Sequence, residues 1–198
     1  MKIDLVVARH NEDVRWIHQI SAERFVIDKS ASPYVSSGVT TIQLPNVGRE
    51  AESYLYALNE YKKTPDTSPD WIIFSQGHPF DHCPQFVAYA GIFVQYAQTY
   101  KQARRLYVPF MGVVPLDVAD YANPVHGVTT ECEPIASLFG GDVKKRFLSD
   151  PSFHTCGLFA VHRERYMVYD YEKALESIRA NTINAWAMEK AWRWMFDY

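Results

Sequence analysis

At 198 residues, 47 % of them apolar and 15 % aromatic, the chain is long enough to bury one substantial core and short for two. A formal net charge of -3 and an isoelectric point near 6.2 give no field for holding a polyanion, which excludes general nucleic-acid binding. Cys83, Cys132 and Cys156 match neither a zinc ribbon nor a disulfide framework, and the opening apolar run is too short for a signal sequence or a membrane span. A cytoplasmic protein with no membrane insertion is expected.

Ile3 to Ala8 reads as a strand, and the polar cluster Arg9-His10-Asn11-Glu12-Asp13 as a loop that opens a helix through Trp16, Ile17 and Ile20. Phe25 to Ile27 and Thr40 to Leu44 are the next two strands. Asn46 is placed to cap a helix whose apolar positions Ala51, Tyr54, Leu55, Leu58 and Tyr61 share one face, ending near Lys63. Trp71 to Phe74 is a continuous apolar run of the kind that a central strand shows when it is buried on both faces. A helix over Phe86 to Tyr100 and an extended run over Leu106 to Phe110 follow. From Val113 to Ser149, Pro115, Pro124, Pro134 and Gly140-Gly141 predict loops, with one short helix around Ile135 to Phe139. Cys156 to Val161 is a strand, and Tyr171 to Ile178 and Ala185 to Phe196 are helices. Strands alternating with helices predict an α/β fold with a mostly parallel central sheet flanked by helices, in a single domain over 1–198.

Ligands of open α/β sheets sit at the carboxyl ends of the strands, where loops diverge and helix N-termini offer free N–H groups. Each of the first four predicted strands ends in polar residues there: Arg9 to Asp13, Asp28-Lys29, Asn46 to Glu50, and Gln76 to His82. Gly48 permits close backbone approach, and Arg49 suits a phosphate or a carboxylate. In the last cluster, Pro79 and Pro84 force a tight turn on which His78, Asp81 and His82 can converge, a donor set adequate for manganese and, with Cys83, for zinc. His154, before the late strand, is a candidate for a distant ligand or an acceptor pocket. Asp170-Tyr171-Glu172 reads first as a helix cap. Of Trp186, Trp192, Trp194 and Phe196, no more than one is expected to reach a ligand.

Three stretches carry a resemblance: Val6 to Asp13 with Trp16; Leu44-Pro45-Asn46-Val47-Gly48-Arg49-Glu50 with Tyr54-Leu55; and Phe74-Ser75-Gln76-Gly77. Gly157 to Arg165 and Glu189 to Phe196 extend it. The chain resembles a family of fungal, bacterial and viral proteins of unknown function marked by Asn-x-Gly-Arg-Glu. The layout is similar to glycosyltransferases of the GT-A type, including domains of the kind that decorate chlorella-virus capsids. The resemblance implies a Rossmann-related sheet, with a nucleotide-binding half over about 1–100 and an acceptor-side half over about 101–198. It also implies a nucleotide-sugar donor, a UDP-sugar first, a glycan or glycoprotein acceptor, and Mn2+ or Mg2+ on the diphosphate. Carried over, Ala8, Arg9, Asn11 and Glu12 meet the base, Asp28 and Lys29 flank it, and Asn46, Arg49, Glu50, Gln76 and Gly77 line the donor cleft. Asp81, helped by His78 or His82, takes the place of the usual Asp-x-Asp metal motif, while Gln76 and His78 stand where carboxylates are expected. Glu164 and Asp170 are candidates for the base or stabiliser, and His154 and Gly157 for the acceptor side. Two other functions fit the same residues: a zinc hydrolase using His78, Asp81, His82 and His154, and a nucleotide-sugar-binding module without turnover.

Overall fold

The computed structural model describes residues 1–99, 105–115 and 129–198. Its strands are β1 (Ile3–Arg9), β2 (Glu23–Asp28), β3 (Val39–Gln43), β4 (Trp71–Gln76), β5 (Tyr107–Pro109), β6 (Val113–Pro115), β7 (Ser152–His154) and β8 (Phe159–His162). Six of them form one sheet in the order β3-β2-β1-β4-β8-β5, and β6 and β7 form a separate antiparallel pair. The first four strands pair in parallel, whereas β8 runs antiparallel to both β4 and β5. The sheet is therefore mixed, and the expected parallel pairing is confined to the first four strands. The chain enters β8 at the edge where β4 ends and leaves it where β4 begins, since Phe159 faces Phe74 and His162 faces Trp71.

Among the described residues there are seven α-helices: α1 (Arg49–Lys63), α2 (Phe86–Thr99), α3 (Thr129–Leu138), α4 (Gly141–Ser149), α5 (Arg163–Tyr166), α6 (Glu172–Ala180) and α7 (Ile183–Phe196). The period-2 alternation of β1 sorts them into two layers. Val6 and Ala8 pack with α1, α3, α6 and α7, while Leu5 and Val7 pack with α2 and a 3₁₀ turn over Arg15–Gln19. On the α1 side Tyr54, Phe74, Phe159 and Trp192 form a contiguous aromatic block, with ring centroids 4.6 Å apart for Tyr54–Phe74 and 5.5 Å for Phe159–Trp192. Such contacts add about 0.5–1.5 kcal/mol per pair beyond burial, which makes this block a firm floor under the carboxyl edge.

Three expectations are corrected. The predicted helix through Trp16 and Ile17 is only the 3₁₀ turn, with both side chains buried. The stretch predicted as loops with one short helix holds β6, α3 and α4, and α3 carries Pro134 inside it. Burial of Cys132, Ile135, Ala136 and Phe139 against the main core outweighs the local signal of the proline there. The predicted late strand begins only at Phe159, because Cys156 adopts φ 71 and breaks the extension. Residue 100, at the end of one predicted helix, and residues 116–128 lie outside the described residues.

Candidate functional site

The strand order reverses between β1 and β4: β2 and β3 continue on one side of β1, and the chain then returns to its other side. This is the switch point at which open α/β sheets bind ligands. A pocket of about 280 Å3 opens there, lined by Ala8, Arg9, His10, Glu12, Lys29, Asn46, Arg49, Glu50 and Gln76. Register explains the convergence. Ala8 pairs with both Ile27 and Gln76, so the ends of β1, β2 and β4 are level, and the N-terminus of α1 lies against them on the Val6–Ala8 face.

The basic residues of the pocket have different duties. Arg9 Nη1 lies 2.6 Å from Asp28 Oδ2 and 2.8 Å from Ser30 Oγ, and Arg9 Nε donates to the Glu12 carbonyl at 2.9 Å. Burial pushes the Asp28 carboxyl up, but hydrogen bonds from Ser30, Tyr34 and Arg9 outweigh it and hold the group below the usual carboxylate range. Asp28 is thus a buried post for Arg9 and does not line the pocket. Lys29 Nζ sits 2.8 Å from Glu52 Oε2 and also donates to the carbonyls of Val47 and Arg49, with Arg179 completing the cluster 2.7 Å from Glu52 Oε1. Burial lowers the Lys29 ammonium against the pull of Glu52, so Lys29 serves to fix the turn before α1. Arg49 keeps its charge at the surface: its side chain is 44 % exposed, lies 3.5 Å from Glu50 and stacks at 3.8 Å over Trp186.

Backbone geometry concentrates at the same edge. Asn11 (φ 74), Arg49 (φ 53) and Cys156 (φ 71) are the non-glycine residues with positive φ among those described, and they sit after β1, at the start of α1 and just before β8. Each such conformation costs about 1–3 kcal/mol and persists only where the surroundings enforce it. Gly48 precedes Arg49 at φ 62, and a Cβ there would lie 2.4 Å from Ile178. α1 begins with no side-chain cap, so its first N–H groups are open to an anion, where Asn46 was expected to cap it. Asn46 Nδ2 instead meets His10 Nε2 at 3.2 Å, and Glu12 accepts the His10 N–H. Glu12 lies over Gly77, whose absent Cβ would meet Glu12 Oε2 at 2.7 Å.

Of the expected donor residues, Ala8, Arg9, Glu12, Lys29, Asn46, Arg49, Glu50 and Gln76 come together, while Asn11, Asp28 and Gly77 do not line the pocket. The metal turn does not join them. After Gln76 the chain veers to the other face, where the Gly77 carbonyl accepts from Trp16 Nε1 at 3.0 Å and Phe80 packs edge-on to Trp16. His78 and Asp81 form a 3.3 Å pair at side-chain exposures of 51 % and 74 %, and His82 is exposed beside them. A divalent ion needs several hard donors at one point, and no three His, Cys, Asp or Glu side chains among the described residues assemble to hold one. His78, Asp81 and His82 do not line the pocket.

Glu164 and Asp170 are placed at the opposite edge. Because β8 is antiparallel, its exit lies by the start of β4: the Arg163 N–H donates to the Asp70 carbonyl, and Glu164 follows at the surface. Asp170 accepts the Glu172 N–H at 3.1 Å as a cap for α6, near the far end of α1, where Lys62 reaches the Tyr169 carbonyl. His154 is buried against Tyr107, 3.4 Å from Asp197, and is not joined to His78, Asp81 or His82. Gly157, the other acceptor-side residue, does not line the pocket and lies against Tyr54, 3.4 Å from where its Cβ would be.

His10 lies within the polar cluster Arg9 to Asp13 read from the sequence, Trp186 was one of four aromatics of which no more than one was expected to reach a ligand, and Glu189 was not singled out as a site residue. His10 lines the pocket, and Trp186 is the platform for Arg49. Glu189 Oε1 accepts the Cys156 N–H at 3.0 Å, and burial, then the neighbouring Glu50, push its carboxyl up. The i, i+3 spacing of Trp186 and Glu189 along α7 was the available signal. Trp192, Trp194 and Phe196 are core, as the helical spacing suggested. No helix among the described residues is long and apolar enough to cross a membrane. No protein-family model matches this chain, and no curated protein matches it.

Proposed function

We propose that the chain is a glycosyltransferase of the GT-A type that binds a nucleotide-diphosphate sugar, a UDP-sugar first, in this pocket and passes the sugar to a glycan or glycoprotein acceptor. The observation that carries the reading is the convergence of nine residues from four strand ends at the β1/β4 switch point, under an uncapped helix N-terminus. A volume of about 280 Å3 is at the small end of ligand pockets, so it takes the diphosphate and one ring, and the rest of the donor lies along the open mouth.

In this reading Arg49 and the free N–H groups of α1 stabilise the departing diphosphate. Both are fixed before the reaction, by Trp186 and by the Lys29 post, so little reorganisation is needed as charge develops. The acceptor hydroxyl displaces the nucleoside diphosphate from the sugar carbon, and Glu50, the carboxylate beside Arg49 in the lining, takes its proton. Glu12, held by the His10 N–H, orients the donor.

The test is titration of a panel of nucleotide sugars, with and without Mn2+ or Mg2+, following the heat of binding and the release of free nucleotide by mass spectrometry. One donor is expected to bind and turn over, and Arg49→Ala to weaken its binding about tenfold. Metal stimulation abolished by Glu12→Gln would assign an ion to the pocket; stimulation abolished by Asp81→Ala would return it to the turn. Absence of binding by every nucleotide sugar sinks the reading, and binding without release makes the chain a binding module.

A further inference from the structure

The sheet carries a second concavity, on its other face and toward the amino ends of the strands. It measures about 560 Å3, lies between α2 and β5, and is lined by Trp71, Tyr89, Ile92, Phe93 and Phe110 with Arg105 at the rim. The helix that forms one wall is apolar on two sides. Phe86, Ala90, Phe93, Val94 and Ala97 bury against the sheet, while Tyr89, Ile92 and Tyr96, spaced i, i+3, i+7, remain 45 %, 63 % and 45 % exposed. An apolar stripe left in water beside a concave apolar wall marks a binding surface.

Its polar groups point to the chemistry of the occupant. Arg105 is exposed at the rim, and no carboxylate among the described residues pairs with it. Trp71, in the lining, is buried and offers the groove its ring and not its sealed indole N–H. The Arg105 guanidinium calls for an anion, and the walls call for a long apolar body. A peptide or a second copy of the chain would bring backbone N–H and carbonyl groups against walls with few partners for them. One guanidinium matches one negative charge and forks onto a carboxylate.

We infer that the groove between α2 and β5 binds a long-chain fatty carboxylate, with its tail along Tyr89, Ile92 and Phe93 and its head on Arg105. The inference does not rest on activity at the polar pocket.

The experiment is equilibrium binding of a fluorescent polyene fatty acid to the full chain, with oleate, dodecyl phosphate and dodecanol as competitors. Saturable one-to-one binding is expected, displaced by oleate and about tenfold less well by dodecanol. Ile92→Asp changes an exposed position and is expected to abolish binding with the melting temperature retained. Arg105→Ala is expected to weaken the carboxylate about tenfold and leave dodecanol unaffected. No saturable binding, binding indifferent to Ile92→Asp, equal competition by acid and alcohol, or preference for the phosphate overturns the inference. So does a dimer of the chain that Ile92→Asp dissociates, since the groove would then be an interface between copies.

Discussion

Asp4 and Asp28 lie on neighbouring strands and both are fully buried, yet they stand in opposite surroundings. Asp28, at the carboxyl edge, accepts from the Ser30 amide and hydroxyl, the Tyr34 amide and Arg9. Asp4, toward the amino edge, has the Tyr61 hydroxyl on one oxygen and no partner on the other, and burial pushes its carboxyl up to about 6. The contrast extends along both edges. The carboxyl edge gathers buried ion pairs, strained backbone and a polar pocket, and the amino edge gathers apolar walls and a groove. One sheet thus separates a charged, polar edge from an apolar one.

The comparison breaks first if the polar edge proves to be scaffolding. Glu50→Gln is expected to lower turnover of the nucleotide sugar by about a hundredfold or more at saturating donor, as loss of a group acting in the transition state does. Unchanged turnover would remove Glu50 from the chemistry. Next in size is Glu52→Ala, which leaves Lys29 and Arg179 without their shared carboxylate. Removing one partner of a buried pair costs about 3–5 kcal/mol, which urea denaturation would register as a lower midpoint at constant slope. A loss below about 1 kcal/mol would mean that Lys29 is not the post of the α1 turn. Smaller again is Gly77→Ala. The added methyl meets Glu12 Oε2 at 2.7 Å, so Glu12 must swing away, at about 1–2 kcal/mol in stability and with weaker donor binding. Unaltered donor affinity would show that Glu12 plays no part in holding the ligand.

The polar strand ends were legible in the sequence because they depend on period-2 strands followed by polar loops, a pattern of adjacent residues. Eight of the eleven residues expected at the donor cleft line one pocket for that reason. The direction of β8 was not legible, since Phe159 to His162 reads alike in a parallel or an antiparallel strand. Glu164 was therefore expected at the site and stands at the far edge. The side of the sheet taken by the Asp81 turn was equally hidden. It depends on the contact of Trp16 with Gly77 and Phe80, partners more than sixty residues apart. The roles of Lys29 and Arg49 differ for a similar reason: two adjacent basic motifs look alike until Glu52 and Trp186 claim one each.

An effect of similar size, confined to one end of the pH range, probes the two buried acids directly. Asp4 has a carboxyl at about 6 in the folded chain against an ordinary 3.8, so between those values the folded state holds the extra proton. Stability should then fall as pH rises from about 4 through about 6, with the penalty complete above that window. Asp4→Asn removes the ionisation and keeps an oxygen for the Tyr61 hydroxyl. It is expected to stabilise the protein by about 1–2 kcal/mol at pH 7.5 and by nothing at about pH 4, read from urea midpoints at the two pH values. Asp28 has the opposite sign. Its carboxyl is held low, so its contribution is present above the ordinary carboxylate range and is lost as pH falls through its folded value. Asp28→Asn should accordingly destabilise at pH 7.5, and less so in acid. If both substitutions shifted the midpoint in the same direction at pH 7.5, the two edges would not differ in how they treat a buried charge, and the division between a charged site and an apolar one would lose its physical basis.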